Sequence, residues 1–223
     1  MLKRLHNLLY RGPAPRHASR GARYFSRFGG LWVDQLDALQ QLQDRLDQDS
    51  ISPQLPEKLA FFIKHGYVIL EGAVGCTQID TYLQGFREAA GGKGPLLASE
   101  PAAGPQDKGI VPLQRADLGA PLTKVLDTYS HLSSAHELIF AEPIRQFLHA
   151  VFEESLLAFQ SLHFEKGSTQ AIHQDTAYVV LNEPMRLCAS WVALEDIAPG
   201  SGELIYYPGS HRLPDWLYSG RYK

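Results

Sequence analysis

His173 and Asp175 stand two residues apart within Phe164–Tyr178, FEKGSTQAIHQDTAY, a stretch that otherwise reads as strand. In a strand successive side chains point to opposite faces, so positions i and i+2 look the same way. One imidazole and one carboxylate would then converge on a single point. With a further histidine from elsewhere, such a pair makes a 2-His-1-carboxylate face that holds Fe(II) and leaves positions open for a co-substrate and O₂. A chain with 9 His and 24 acidic residues also meets His-x-Asp by accident. A solvated loop and a plain hydrogen-bonded pair fit the same two residues.

The elements around the pair divide into a helical block and a strand-like block. From Leu156 onward the candidate strands are Leu157–Phe164, Ala177–Leu181, Leu187–Leu194 and Glu203–Tyr207, separated by turn residues at Lys166-Gly167, Glu183-Pro184 and 199–202. Before them, Leu36, Leu39, Leu42 and Leu46 predict an amphipathic helix over Val33–Gln48, its stripe facing the domain or a partner. Leu59, Phe62 and Ile63 mark a short helix that Gly66 can end, and Tyr67–Leu70 reads as a buried strand. Thr77 is placed to cap a helix reaching Ala90, with Ile79, Leu83 and Phe86 inward. Gly91–Gly109 is rich in Gly, Pro and Ala and aperiodic, which predicts a loop, either inert or a lid. Helices follow over Ser134–Phe140 and Pro143–Phe152, with Ile139, Ile144, Phe147, Leu148 and Val151 as core and His131, His136 and His149 on surfaces or in satisfied hydrogen bonds. Helices followed by short strands predict helices packed on a β-sandwich or barrel.

Length and composition narrow the functional classes. The 223 residues suffice for one domain with a sizeable core, and 44% hydrophobic residues with net charge −3 point away from nucleic acid and from a disordered chain. No run approaches a membrane span. Cys76 and Cys188 form no metal-type pair and are expected to be buried, reduced thiols of a cytosolic protein. Residues 1–30 carry Lys3, Arg4, Arg11, Arg16, Arg20, Arg23 and Arg27 with no acid, as a basic arm on a cytoplasmic protein or a mitochondrial transit segment would.

The sequence resembles the phytanoyl-CoA dioxygenase family of Fe(II)/2-oxoglutarate oxygenases. The resemblance is carried by Gly167-Ser168, Gln170, His173-Gln174-Asp175, the run Ala189–Asp196, and Gly202-Glu203-Leu204 leading into Pro208-Gly209-Ser210-His211. These pieces keep the family's order and similar spacing, from about Pro56 to Pro214. The resemblance implies an α+β fold built on a double-stranded β-helix, or jelly roll, with flanking helices. It divides the chain into a basic arm plus helix at 1–52 and the oxygenase-like domain at 53–223. It also implies Fe(II), 2-oxoglutarate and O₂, with ascorbate as a reductant, acting on a small or lipid-like organic substrate. His173 and Asp175 become metal ligands, and Gln170 a donor to the co-substrate or else a loop cap. Gln174 turns away from the metal, and Tyr178 and Trp191 line the pocket or belong to the core. In related halogenases a small residue replaces the carboxylate, so Asp175 favours oxidation without halide.

The third ligand is open. His211 is the only histidine after Asp175, which offers it as a ligand; in the family its Pro-Gly-Ser-His is a turn, and the distal histidine lies further on, ahead of an Arg or Lys for the 2-oxoglutarate 5-carboxylate. Neither follows before Lys223, so the expectation is a chain lacking the last jelly-roll strands. Two classes of function stand: an oxygenase, and a non-catalytic jelly-roll binding protein that keeps part of a metal site.

Overall fold

A computed structural model describes residues 23–24, 29–92, 94–100, 109–120, 123–166, 172–175, 179 and 186–212. Among these residues five α-helices frame a small antiparallel sheet: α1 (Ala38–Asp47), α2 (Pro56–His65), α3 (Cys76–Gly91), α4 (Ser133–Ile139) and α5 (Glu142–Phe152). The sheet consists of β1 (Leu97–Glu100), β2 (Gly109–Pro112), β3 (Lys124–Leu126) and β4 (Leu162–His163), in the order β2-β1-β3-β4.

Helix α1 starts five residues later than its leucine spacing predicts. The Asp34 carboxylate accepts the N–H groups of Gly30 (3.2 Å) and Leu31 (3.1 Å), which closes a tight turn over Trp32–Asp34 instead of a helical one. Leu36 is therefore exposed, whereas Leu42 is fully buried. That burial joins Leu31, Trp32 and Val33 to Leu55, Leu59 and Ile63 of the α2 region and to Phe147 and Val151 of α5 in one core. Each such aliphatic side chain contributes about 1.5–3 kcal/mol. The Trp32 indole donates to the Ala150 carbonyl (2.9 Å) while the Arg45 guanidinium lies 4.2 Å above its ring, so residues 31–51 are tied to α5 by polar as well as apolar contact.

Pro56 opens α2 and Gly66 closes it. Gly66 takes φ +80°, a conformation that favours glycine, and returns its N–H to the Phe62 carbonyl at 2.7 Å. At the start of α3, Gly75 is the cap and Thr77 lies inside the first turn; the Gln78 side chain reaches back to accept the Gly75 N–H (3.1 Å). Tyr82 and Phe86 are the buried residues of α3, with Ile79 and Leu83 flanking them. Helices α4 and α5 follow the predicted spans to within a residue, and His131, His136 and His149 are exposed on them and the turn before.

The sheet departs most from expectation. β1 lies within the segment read as loop, and β2 begins at its end, with Ala98 facing Val111 on one side and Val125 on the other. Leu96, Ala98 and Val125 close over Phe86 and Leu113. The pairing partners, not local composition, make strands of these residues. Conversely, Tyr67–Leu70, with Ile69 exposed, and Leu187–Leu194 and Glu203–Tyr207 form no ladder among the described residues. Leu157–Phe164 narrows to β4, where His163 faces Val125. Ala177–Leu181 lies outside the described residues apart from Val179. The architecture is thus mixed α+β.

Of the two thiols, Cys76 is exposed in the first turn of α3, contrary to expectation. Cys188 packs on the first core, and burial, reinforced by the negative charge of Asp34, pushes its pKa up to about 12. It stays a protonated, unreactive thiol.

Candidate functional site

His173 and Asp175 approach each other, although residues 172–175 form no strand, so strand alternation is not what brings them together. Nε2 of His173 lies 3.3 Å from Oδ1 of Asp175. The imidazole is 25% exposed and the carboxylate 56%, so both remain reachable from solvent. Gln170 lies outside the described residues, as do Gly167, Ser168 and Tyr178. Among the described residues no group of three His, Cys, Asp or Glu side chains could hold a metal ion. Trp191 is largely exposed and, among the described residues, takes no part in a buried cluster.

His211 sits against the C-terminal end of α2. Pro208-Gly209-Ser210-His211 forms a turn in which Ser210 N–H donates to the Tyr207 carbonyl (3.0 Å). Helix ends leave carbonyls without intrahelical partners, and this turn supplies donors for two of them. Gly209 N–H reaches the His65 carbonyl at 2.8 Å, and His211 Nε2–H (3.1 Å) and the Arg212 guanidinium (2.7 Å) both reach the Ile63 carbonyl. A cation here also opposes the negative end of the helix dipole. The His211 ring lies directly against Gly66, where a Cβ would overlap it. Burial, with the nearby charge of Arg212, holds its pKa down to about 4, so the ring is neutral at physiological pH.

A second histidine–carboxylate pair, not singled out from the sequence, has its histidine on β4 and its carboxylate just beyond it. The Tyr82 hydroxyl donates to His163 Nδ1 at 2.9 Å, and His163 Nε2 faces Glu165 Oε1 at 3.4 Å. The ring packs 4.0 Å from that of Phe86, and the side chain is 5% exposed. Burial lowers the His163 pKa and outweighs the opposing pull of Glu165. Burial likewise raises that of Tyr82, against a hydrogen bond from Thr128. The visible signal was the same i, i+2 spacing in His163-Phe164-Glu165.

Tyr206 is the other residue that the pattern hid. Its ring stacks on Tyr67 (centroids 5.6 Å, planes at 22°), and Tyr67 meets Phe61 edge-on at 5.3 Å. Burial and then the charge of Asp175 push the Tyr206 phenol above its ordinary range.

A helix-flanked antiparallel sheet followed by an accessible histidine–carboxylate pair defines a mixed α+β protein. The model of one family, phytanoyl-CoA dioxygenase (PhyH), matches residues 62–220. The chain belongs to that family, whose members are generally oxygenases. No curated protein and no solved structure gives a match.

Proposed function

We propose that the chain acts as an Fe(II)/2-oxoglutarate-dependent dioxygenase that hydroxylates a small or lipid-like organic substrate on a jelly-roll scaffold. The observation that carries this reading is the His173–Asp175 pair, 3.3 Å apart and solvent-accessible, inside the family match. Its donor set suits the ion: a neutral imidazole nitrogen and a carboxylate oxygen are two of the three donors of an Fe(II) facial site. His173 and Asp175 would hold the metal, which when bound supplies oxygen activation. Asp175 would also oppose the metal's positive charge and occupy the position a halide needs. Gln170 would donate to 2-oxoglutarate from three residues upstream of His173.

The test is 2-oxoglutarate consumption by the purified chain with Fe(II) and ascorbate, alongside divalent-metal titration. Turnover that is lost in His173→Ala supports the enzyme. Metal affinity equal in wild type and His173→Ala would remove the site.

A second reading has its own observation. Because no three-residue metal group exists among the described residues, a non-catalytic jelly-roll binding protein also fits. It predicts metal binding without 2-oxoglutarate consumption, or neither.

A further inference from the structure

The run Leu204-Ile205-Tyr206-Tyr207 is open to solvent at every position, by 53%, 74%, 46% and 55%. A strand that serves the core hides alternate side chains, and consecutive bare apolar residues mark a surface that something covers. The run is firmly held. Just beyond it, Gly209 N–H reaches the His65 carbonyl at 2.8 Å and the Arg212 guanidinium reaches that of Ile63 at 2.7 Å. Within it, the Tyr206 ring stacks on Tyr67 at 5.6 Å, and Tyr67 meets Phe61, itself 39% exposed, edge-on at 5.3 Å. Ring contacts thus join the run to the last turns of α2 in one patch.

Its size decides what kind of partner it fits. With about 150–250 Å² on a bare aromatic side chain and slightly less on an aliphatic one, Phe61 and the four residues of the run, each roughly half bare, leave on the order of 500 Å² open. A stable protein interface takes about 800 Å² from each partner, of which about 60% is apolar, again on the order of 500 Å². A pocket for a small ligand would instead cover its occupant by about 70–90%, which side chains this open do not do. None of the patch residues is charged, so two identical copies can meet without like-charge opposition. The ladder Phe61, Tyr67, Tyr206 can then continue onto Tyr206 of a twofold-related copy, stacked or edge-on. A ring already held in place loses little freedom when it is covered.

We propose that this patch is an isologous interface between two copies of the chain, with Ile205 and Tyr206 next to the twofold axis. It makes no use of His173 or Asp175, so it stands or falls apart from the reading above.

Sedimentation equilibrium of the full chain across the micromolar range should show a monomer–dimer equilibrium. Ile205→Asp and Tyr206→Asp should each weaken dimerisation by more than about 10-fold. Tyr206→Phe, which keeps the ring, should stay within about 3-fold of wild type. Ile110→Asp, at an equally open residue on edge strand β2, should leave the dimer unchanged, with circular dichroism showing every variant folded. In a Cys76→Ser background, mild oxidation should link Ile205→Cys into a covalent dimer and leave Ile110→Cys monomeric. A wild-type monomer throughout the range overturns the proposal, because another part of the chain or a different protein then covers the patch. A dimer that survives both aspartate variants, or assembly that continues past two copies, overturns it as well.

Discussion

His163–Glu165 and His173–Asp175 are two pairs with the same spacing and nearly the same separation, 3.4 and 3.3 Å, and they are available for opposite things. His163 lies on a paired strand, both ring nitrogens engaged, its face against Phe86 and its edge toward Tyr82. His173 lies outside any described ladder with its ring partly open to solvent. Spacing decides which way an imidazole and a carboxylate point, and the packing around them decides whether an outside ligand can reach them. A metal using His163 through Nδ1 would have to displace the Tyr82 hydroxyl, leaving a buried polar group unpaired at a cost of about 1–3 kcal/mol.

Metal affinity gives the largest contrast. His173→Ala and Asp175→Ala should each weaken Mn(II) or Co(II) binding by more than about 100-fold, beyond the ~10–100-fold typical of groups that only orient a ligand. His163→Ala should leave it within a few-fold. A titration in which His163→Ala loses metal as severely as His173→Ala would reverse the roles of the two pairs.

Stability should invert that order. His163→Ala opens a gap beside Phe86 and strands the Tyr82 hydroxyl, and it should cost about 2–4 kcal/mol in denaturant unfolding. His173→Ala, at a more open position, should stay within about 0.5 kcal/mol. A destabilisation by His173→Ala as large as that of His163→Ala would mean that the second pair is structural as well.

His211 extends the contrast to a third histidine, gripped by backbone alone. Its folded pKa of about 4 lies below the ordinary 6.5, so between these values the unfolded chain binds more protons than the folded one. The contribution is fully present above pH 6.5 and is lost as pH falls through the folded value, by roughly 3 kcal/mol at most. Unfolding free energy measured from pH 7.5 down to 4 should fall more steeply in wild type than in His211→Gln. Identical slopes would release His211 from the helix end. His163, whose pKa is also lowered by burial, acts in the same direction and remains in both proteins.

How much of this was legible follows from the range of the interactions. His173 and Asp175 could be named together from their spacing, which is local in the chain, but the strand behind that pairing does not form at residues 172–175. The α5 span could be read from Ile144, Phe147 and Val151, which repeat on one helical face. β1 could not, since Ala98 is buried only because Val111 and Val125 arrive from positions distant in sequence. Tyr206 was hidden for the same reason: its partner Tyr67 lies far away in the chain, and no period joins them. The α1 start failed on a local rule instead, when Asp34 accepted backbone N–H groups and diverted the chain before the leucine stripe could begin.

The smallest expected effect is at the carboxylates, and it discriminates the pairs most finely. Glu165 is 45% exposed and its contact with His163 is long, so solvent screens it, and Glu165→Gln should cost no more than about 0.5–1 kcal/mol. Because Glu165 raises the His163 pKa against burial, removing its charge should lower that pKa further. The neutral ring still accepts the Tyr82 hydroxyl, so the loss at pH 7.5 should be slight and should grow as pH falls through the histidine range. Asp175→Asn should behave otherwise, leaving stability unchanged and weakening metal binding, since the amide retains one oxygen but no charge. NMR titration of the histidine C–H signals in wild type and Glu165→Gln reads the first effect directly. An unmoved His163 titration would mean that Glu165 turns to solvent, leaving the buried pair a Tyr82–His163 hydrogen bond alone.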